Sequence, residues 1–153
     1  MSGRRKAREL VLQACYALEM SGNPPEQVME SVILSDDSPQ GIISFAGELF
    51  RCVVSGKDEF DELIKGRVAN WEYDRIALID KIIIRIAICE FVHFEDIPTK
   101  VSIDEAIELA KKFSTEQSGR FVNGIVDAVL IDLQKQGKVQ KRGRGLDEGR
   151  KNT

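Results

Sequence analysis

The chain has 153 residues, 42% of them hydrophobic and 31% charged, with a formal net charge of −3. This length suits one domain able to bury about 70% of its unfolded surface, and the composition excludes collagen-like, mucin-like and wholly disordered classes. No membrane span is expected, because the longest apolar stretch, 82–89, contains Arg85 and falls far short of the roughly 20 residues a bilayer helix needs. A secretory signal or transit peptide is not expected either, since the basic start runs into an apolar stripe broken by Glu9, Gln13 and Glu19. Cys15, Cys52 and Cys89 are spaced 37 residues apart with unrelated flanks. They read as three buried thiols in a reducing cytoplasm, neither a disulfide framework nor a zinc site.

The periodicity is helical almost throughout. Ala7, Leu10, Val11, Ala14, Cys15 and Leu18 form one buried stripe, which predicts a first helix over 4–20 stopped by Ser21-Gly22-Asn23. Asn23 is the expected cap of a second helix, with Pro24 and Pro25 in its first turn and Glu26 at capping-box distance. Ser38 is the expected cap of a third, carrying Ile42, Phe45, Leu49, Phe50 and Val53 and ending at Gly56. A short fourth helix holds Phe60, Leu63 and Ile64 and closes at Gly66. The segment 76–94, apolar on nearly every side, is expected to be a helix at the centre of a bundle. Ser102 and Glu105 predict a capping box for the next helix, and Ser118 a cap for the last. In that last segment Asn123-Gly124 has the form of a hairpin turn, but Ile125, Val129 and Leu133 continue a helical stripe, so helix is expected.

The net charge hides a segregation. Residues 1–8 carry four basic groups and no acid, and residues 135–153 seven basic groups against Asp147 and Glu148, leaving −12 on the body between them. Local positive segments on an acidic body suit a polyanion binder, although charge alone does not separate RNA from DNA. Residues 137–153 also read as a basic, disordered tail beyond a helical domain of residues 1–136.

Catalytic residues are not expected. His93 sits at the exposed end of the central helix without a Cys or His at metal-ligand spacing, and neither a phosphate-binding glycine loop nor a nucleophile elbow is present in the sequence. Asp58-Glu59 and Asp61-Glu62 fall where a solvated helix face is expected, so no metal or cofactor is assigned. Binding has more support: Arg4, Arg5 and Arg8 project from the first turns of a helix, where arginine forks grip phosphates. Phe121 and Tyr16 read either as stacking platforms or as core.

Three segments together carry a resemblance. RKARE at 5–9 followed by LQACY, then WEYDRIALIDKIIIRIAICE at 71–90, then VSIDEAIELAKKFSTEQSGRFVNGIVD at 101–127 resemble the NusB family of bacterial transcription antitermination factors, over roughly residues 4–135 in the family's order and spacing. The resemblance implies an all-α fold of about seven helices in two perpendicular three-helix bundles. It implies binding, together with the ribosomal protein NusE, to the boxA RNA of ribosomal RNA leaders within an RNA polymerase antitermination complex. The family's RNA contacts transfer to Arg4, Arg5, Lys6 and Arg8 and to Phe121 with Gln117 and Arg120, and its partner contacts to Tyr16, Asp74 and Asp80. Asp104 stands where the family usually has Asn, and Ile125-Val126 replace Val-Leu. The alternative is a helical adaptor or homodimer that binds no specific RNA. Neutralising about four phosphates with the four terminal cations would give a log–log salt slope near −3 on single strands.

Overall fold

Ala7, Leu10, Val11, Ala14 and Cys15 lie along one face of a helix and are each at most 5% exposed. That helix, α1, spans Ser2–Ser21 in the computed structural model, which describes residues 2–146. Gly22, at φ +69°, ends it. Next comes α2 over Pro25–Val28, continuing as a π-helical stretch over Met29–Leu34 that buries Met29 and Ile33. It is followed by α3 (Gln40–Lys65), α4 (Asn70–Arg75), α5 (Leu78–His93), α6 (Thr99–Phe113) and α7 (Glu116–Lys135). No strand occurs among the described residues, and none of these helices is long and apolar enough to cross a membrane. The chain divides into two compact units, Met1–Lys57 and Asp58–Thr153, and α3 runs through the boundary.

Seven α-helices among the described residues agree with the expected number, but not with the expected partition. The predicted third and fourth helices are one, because Gly56 keeps helical geometry within Gln40–Lys65. A mid-helix glycine costs only about 1 kcal/mol relative to alanine. The buried stripe Phe50, Val53, Phe60 and Ile64 outweighs it. The seventh helix is instead α4, which the sequence reading passed over. Its N-cap position is Ala69, whose side chain has no acceptor, so the usual start signal is missing; Glu72 Oε1 instead accepts the Ala69 N–H at 3.1 Å.

Capping residues were the least legible feature. Asn23 does not cap α2, whose N-cap position is Pro24. The Ser38 N–H and hydroxyl both donate to Asp36 Oδ2. Pro98 opens α6 four residues earlier than expected, so Ser102 sits inside it, buried, with its hydroxyl on Glu90 Oε1 at 2.6 Å. Thr115, not Ser118, caps α7, its Oγ1 accepting the Ser118 N–H at 2.9 Å.

In the second unit α5 is enclosed as expected: Ile82, Ile83, Ile84, Ile86, Ala87, Ile88, Cys89 and Phe91 are each at most 2% exposed. α6 and α7 pack against it and against each other. Arg85, the charged break in this run, is paired. Its Nε and Nη2 donate to Asp61 Oδ1 and Oδ2 at 2.7 and 3.2 Å, so Asp61, expected on a solvated face, is buried. Tyr73 of α4 joins this group, with Lys65 and Lys81 Nζ 4.8 and 4.2 Å from its ring centroid. Burial, and then the Asp61 charge, push its phenol pKa up.

Of the three cysteines expected as thiols, Cys15 is buried and in no disulfide, whereas Cys52 and Cys89 are disulfide-bonded. Spacing along the chain, on which the expectation rested, does not decide the oxidation state of a cysteine.

Part of the basic tail is held. Lys141 Nζ donates to the carbonyls of Glu90 and Phe94 at 3.0 and 2.8 Å, capping the C-terminal end of α5. The Arg142 N–H reaches the Glu95 carbonyl, and its Nε lies 2.6 Å from Glu95 Oε1. A Cβ on Gly145 would overlap the Glu95 carbonyl oxygen, so only glycine fits there. Residues 147–153 of the expected tail lie outside the described residues.

Candidate nucleic-acid interface

In the first unit the basic start of α1 divides by helical phase. Arg5 and Lys6 are exposed and Arg4 is partly exposed, its Cζ 4.4 Å from the Phe45 ring centroid. Arg8 is 2% exposed, with Cζ 5.8 Å from the same ring. This corrects the expectation that Arg8 projects toward phosphate. The signal was present in the sequence: Arg8 precedes Val11, Leu12 and Cys15 by three, four and seven residues, which places it on the buried stripe. Lys6 faces an acid. The Asp36 carboxyl is held below the usual carboxylate range by the Ser38 hydroxyl and, to a smaller extent, by the Lys6 charge.

The second unit carries a cleft of about 380 Å³ where α4 and the N-terminal ends of α5 and α7 meet. Trp71, Glu72 and Arg75 line it from α4, Asp80 from α5, and Gln117, Ser118 and Phe121 from α7. Trp71 is 63% exposed and carries the Arg75 guanidinium 5.6 Å from its ring centroid. Phe121 is partly exposed and lies in the second turn of α7 rather than the first, because the helix begins at Glu116. Gln117 and Arg120 are exposed beside it. Sequence reasoning found Gln117, Phe121 and Asp80 but missed Trp71 and Arg75, since their helix was itself unrecognised. A Glu in the first turn and an Arg in the last, matching the helix dipole, was the available signal.

Asp80 does not present a surface carboxylate. It is 6% exposed, its Oδ2 accepts the Ser118 hydroxyl at 3.0 Å, and its Oδ1 has no hydrogen-bond partner. Burial raises its pKa, and the hydroxyls of Ser118 and Ser114 oppose this without cancelling it. The other two expected partner residues are exposed, Tyr16 on α1 in the first unit and Asp74 on α4 in the second. A carboxyl with a raised folded pKa binds its proton more tightly in the folded state. Its effect on stability is therefore most favourable below the ordinary carboxylate range and declines as pH rises through it toward the folded pKa. Asp80→Asn is expected to remove that decline, so denaturant titrations from about pH 3 to about pH 7 should favour the variant progressively over the wild type. A constant difference across the range would show that folding leaves this carboxyl unperturbed.

Comparison with known proteins follows the same segments. A model described as the NusB family matches residues 5–130. The chain belongs to the NusB family. It is 46% identical over 147 residues to the transcription antitermination protein NusB of Salinibacter ruber, covering 95% of this chain and 92% of that protein. To the protein of the same name from Desulfatibacillum aliphaticivorans it is 37% identical over 142 residues, covering 93% and 99%. Among solved structures, T. maritima NusB superposes with a TM-score of 0.77 at 34% identity, over 83% of this chain and 89% of that one. The NusB fold is also shared with a chain from a structure of antitermination factors NusB and NusE in complex with dsRNA. That match has a TM-score of 0.78 at 21% identity and covers 86% of this chain and 98% of that one.

Proposed function

We propose that this chain is a transcription antitermination factor. In this reading it binds boxA-type RNA of ribosomal RNA leaders together with the ribosomal protein NusE and acts in the cytoplasm as part of an RNA polymerase antitermination complex. The observation that carries the reading is the family match over 5–130, with relatives named for antitermination up to 46% identical across nearly the whole chain. Two surfaces support RNA contact. One is the start of α1, where Arg4, Arg5 and Lys6 supply cations. The other is the cleft rim, where Phe121 offers a partly exposed ring with Gln117 and Arg120 beside it. Tyr16, 41% exposed, and Asp74 are the residues available to the protein partner, the acid suiting a basic ribosomal surface. No catalytic step is assigned.

The test is a titration of boxA-like and scrambled RNA with and without NusE. The expected result is weak binding by the chain alone and tighter, sequence-selective binding with the partner. Equal affinity for both RNAs with the partner present would sink the reading. Phe121→Ala is expected to weaken RNA binding by about 1–3 kcal/mol with little loss of folding stability. Because a fully packed phenylalanine loses about 3–5 kcal/mol of stability on truncation, denaturant unfolding of the same variant separates a stacking ring from a core ring.

A further inference from the structure

We propose that Tyr73 is a positioning residue for the protein-binding face: its ring, held by the ammonium groups of Lys65 and Lys81, fixes α4 and so aims Asp74 at a basic partner. The proposal rests on the reading above that Asp74 meets the ribosomal partner, and it names the residue that makes this contact rigid. The need for such a residue comes from α4 itself. That helix has six residues, none of them buried, and no side chain caps its start. A helix so short is marginal in water, and without a buried face it lacks the packed apolar contact that holds other helices in place. Yet Trp71, Asp74 and Arg75 stand exposed on it, so a partner that meets α4 needs the element fixed by other means.

Tyr73 is the only α4 residue that is not exposed. Lys65, in the last turn of α3, places its Nζ 4.8 Å from the ring centroid, and Lys81, near the start of α5, places its Nζ at 4.2 Å. A cation within about 6 Å of a ring centroid is attracted by the electron-rich face. Two such contacts tie α4 to the helix before it and to the helix after it. The phenol end lies close enough to the buried Asp61–Arg85 pair for both charges to act on it, which places the ring against the fixed part of the unit. The arrangement also separates position from charge. As bare cations, Lys65 and Lys81 would repel a basic partner; as ring contacts, they hold the acid that attracts it.

The test measures association with NusE for three variants. Tyr73→Phe is the conservative variant and keeps the ring, Tyr73→Leu removes it, and Lys65→Gln combined with Lys81→Gln removes the cations and leaves the tyrosine. Tyr73→Phe is expected to bind as the wild type does. Tyr73→Leu is expected to bind about tenfold more weakly, the factor that follows if the ordered form of α4 falls to about one-tenth. Asp74→Ala, which weakens binding in the wild type, should cost little more in the Tyr73→Leu background. The Ile76 amide donates to the Glu72 and Tyr73 carbonyls, and its hydrogen exchange in Tyr73→Leu should quicken about tenfold or more while α5 amides keep their wild-type rates. The double lysine variant decides between charge and position, and it serves equally if Tyr73→Leu loses overall helicity. Removing two cations tightens binding to a basic partner if they act by charge alone, and weakens it, about threefold or more, if they hold α4. Tighter or unchanged binding by that variant overturns the proposal, as does a tenfold loss in Tyr73→Phe, which moves the anchor from ring to hydroxyl. Wild-type affinity or unaltered Ile76 exchange in a folded Tyr73→Leu overturns it and leaves the partner reading standing. Normal NusE binding by Asp74→Ala removes the Asp74 contact and this role of Tyr73 with it; no association of the wild-type chain with NusE removes both readings.

Discussion

Arg85→Ala is expected to lower folding stability by about 3–5 kcal/mol, because it strands a buried carboxylate. The Asp61 and Arg85 side chains are 11% and 6% exposed and joined by two hydrogen bonds, so neither charge has water to fall back on. Asp61→Ala should cost a similar amount by stranding the guanidinium. Replacing both with apolar residues of similar volume should recover most of the loss, since a buried ion pair is often no more stabilising than the hydrophobic contact that could stand there. Urea unfolding of the two single variants and the double variant forms the required cycle. Strictly additive losses would show that the two residues do not act as a pair. The consequence reaches the cleft, because Tyr73, between Trp71 and Arg75 on α4, belongs to the same group.

Removing the exposed cations of α1 should have the largest effect on RNA binding. With Arg8 buried, three cations remain, and neutralising about three phosphates gives a log–log salt slope near −2 rather than the −3 that four would give. Arg4→Ala, Arg5→Ala and Lys6→Ala together are expected to flatten that slope by about 2 and to weaken binding on the order of tenfold or more at low salt, for all RNA sequences alike. Arg8→Ala should leave the slope unchanged and lower stability, since its stem and guanidinium pack in the core beside Phe45. A triple variant with an unaltered salt slope would reduce the α1 start to a solvated helix end.

What the sequence made legible was the phase of its apolar residues. The α1 stripe and the all-round burial of α5 follow from spacing alone, and the Asn123-Gly124 hairpin was rightly set aside because Ile125, Val129 and Leu133 carry the longer pattern, all buried in α7. Local signals fared worse, for a shared physical reason: a hydroxyl can bond either to its own helix start or to something across the fold. Ser102 turns inward to Glu90, and Ser38 turns back to Asp36. Polar residues on buried faces were misread in the same way, since Arg8 and Asp61 look like surface charges until their partners are in place. Phe121, Gln117 and the exposed α1 cations were reachable through resemblance to the family. Trp71 and Arg75 were not, because a six-residue helix without a capping side chain leaves little periodicity to read.

Lys141 sets an order of events during synthesis. The α5 carbonyls that it caps, those of Glu90 and Phe94, belong to residues 51 and 47 positions earlier in the chain. At translation rates of about 5–20 residues per second, that helix end waits roughly 3–10 seconds for its lysine. α6 and α7 are made in the interval, and only afterwards does Gly145 arrive at the Glu95 carbonyl, where no other residue fits. The C-terminal segment therefore acts as a latch fastened last, on a helix whose core was already enclosed.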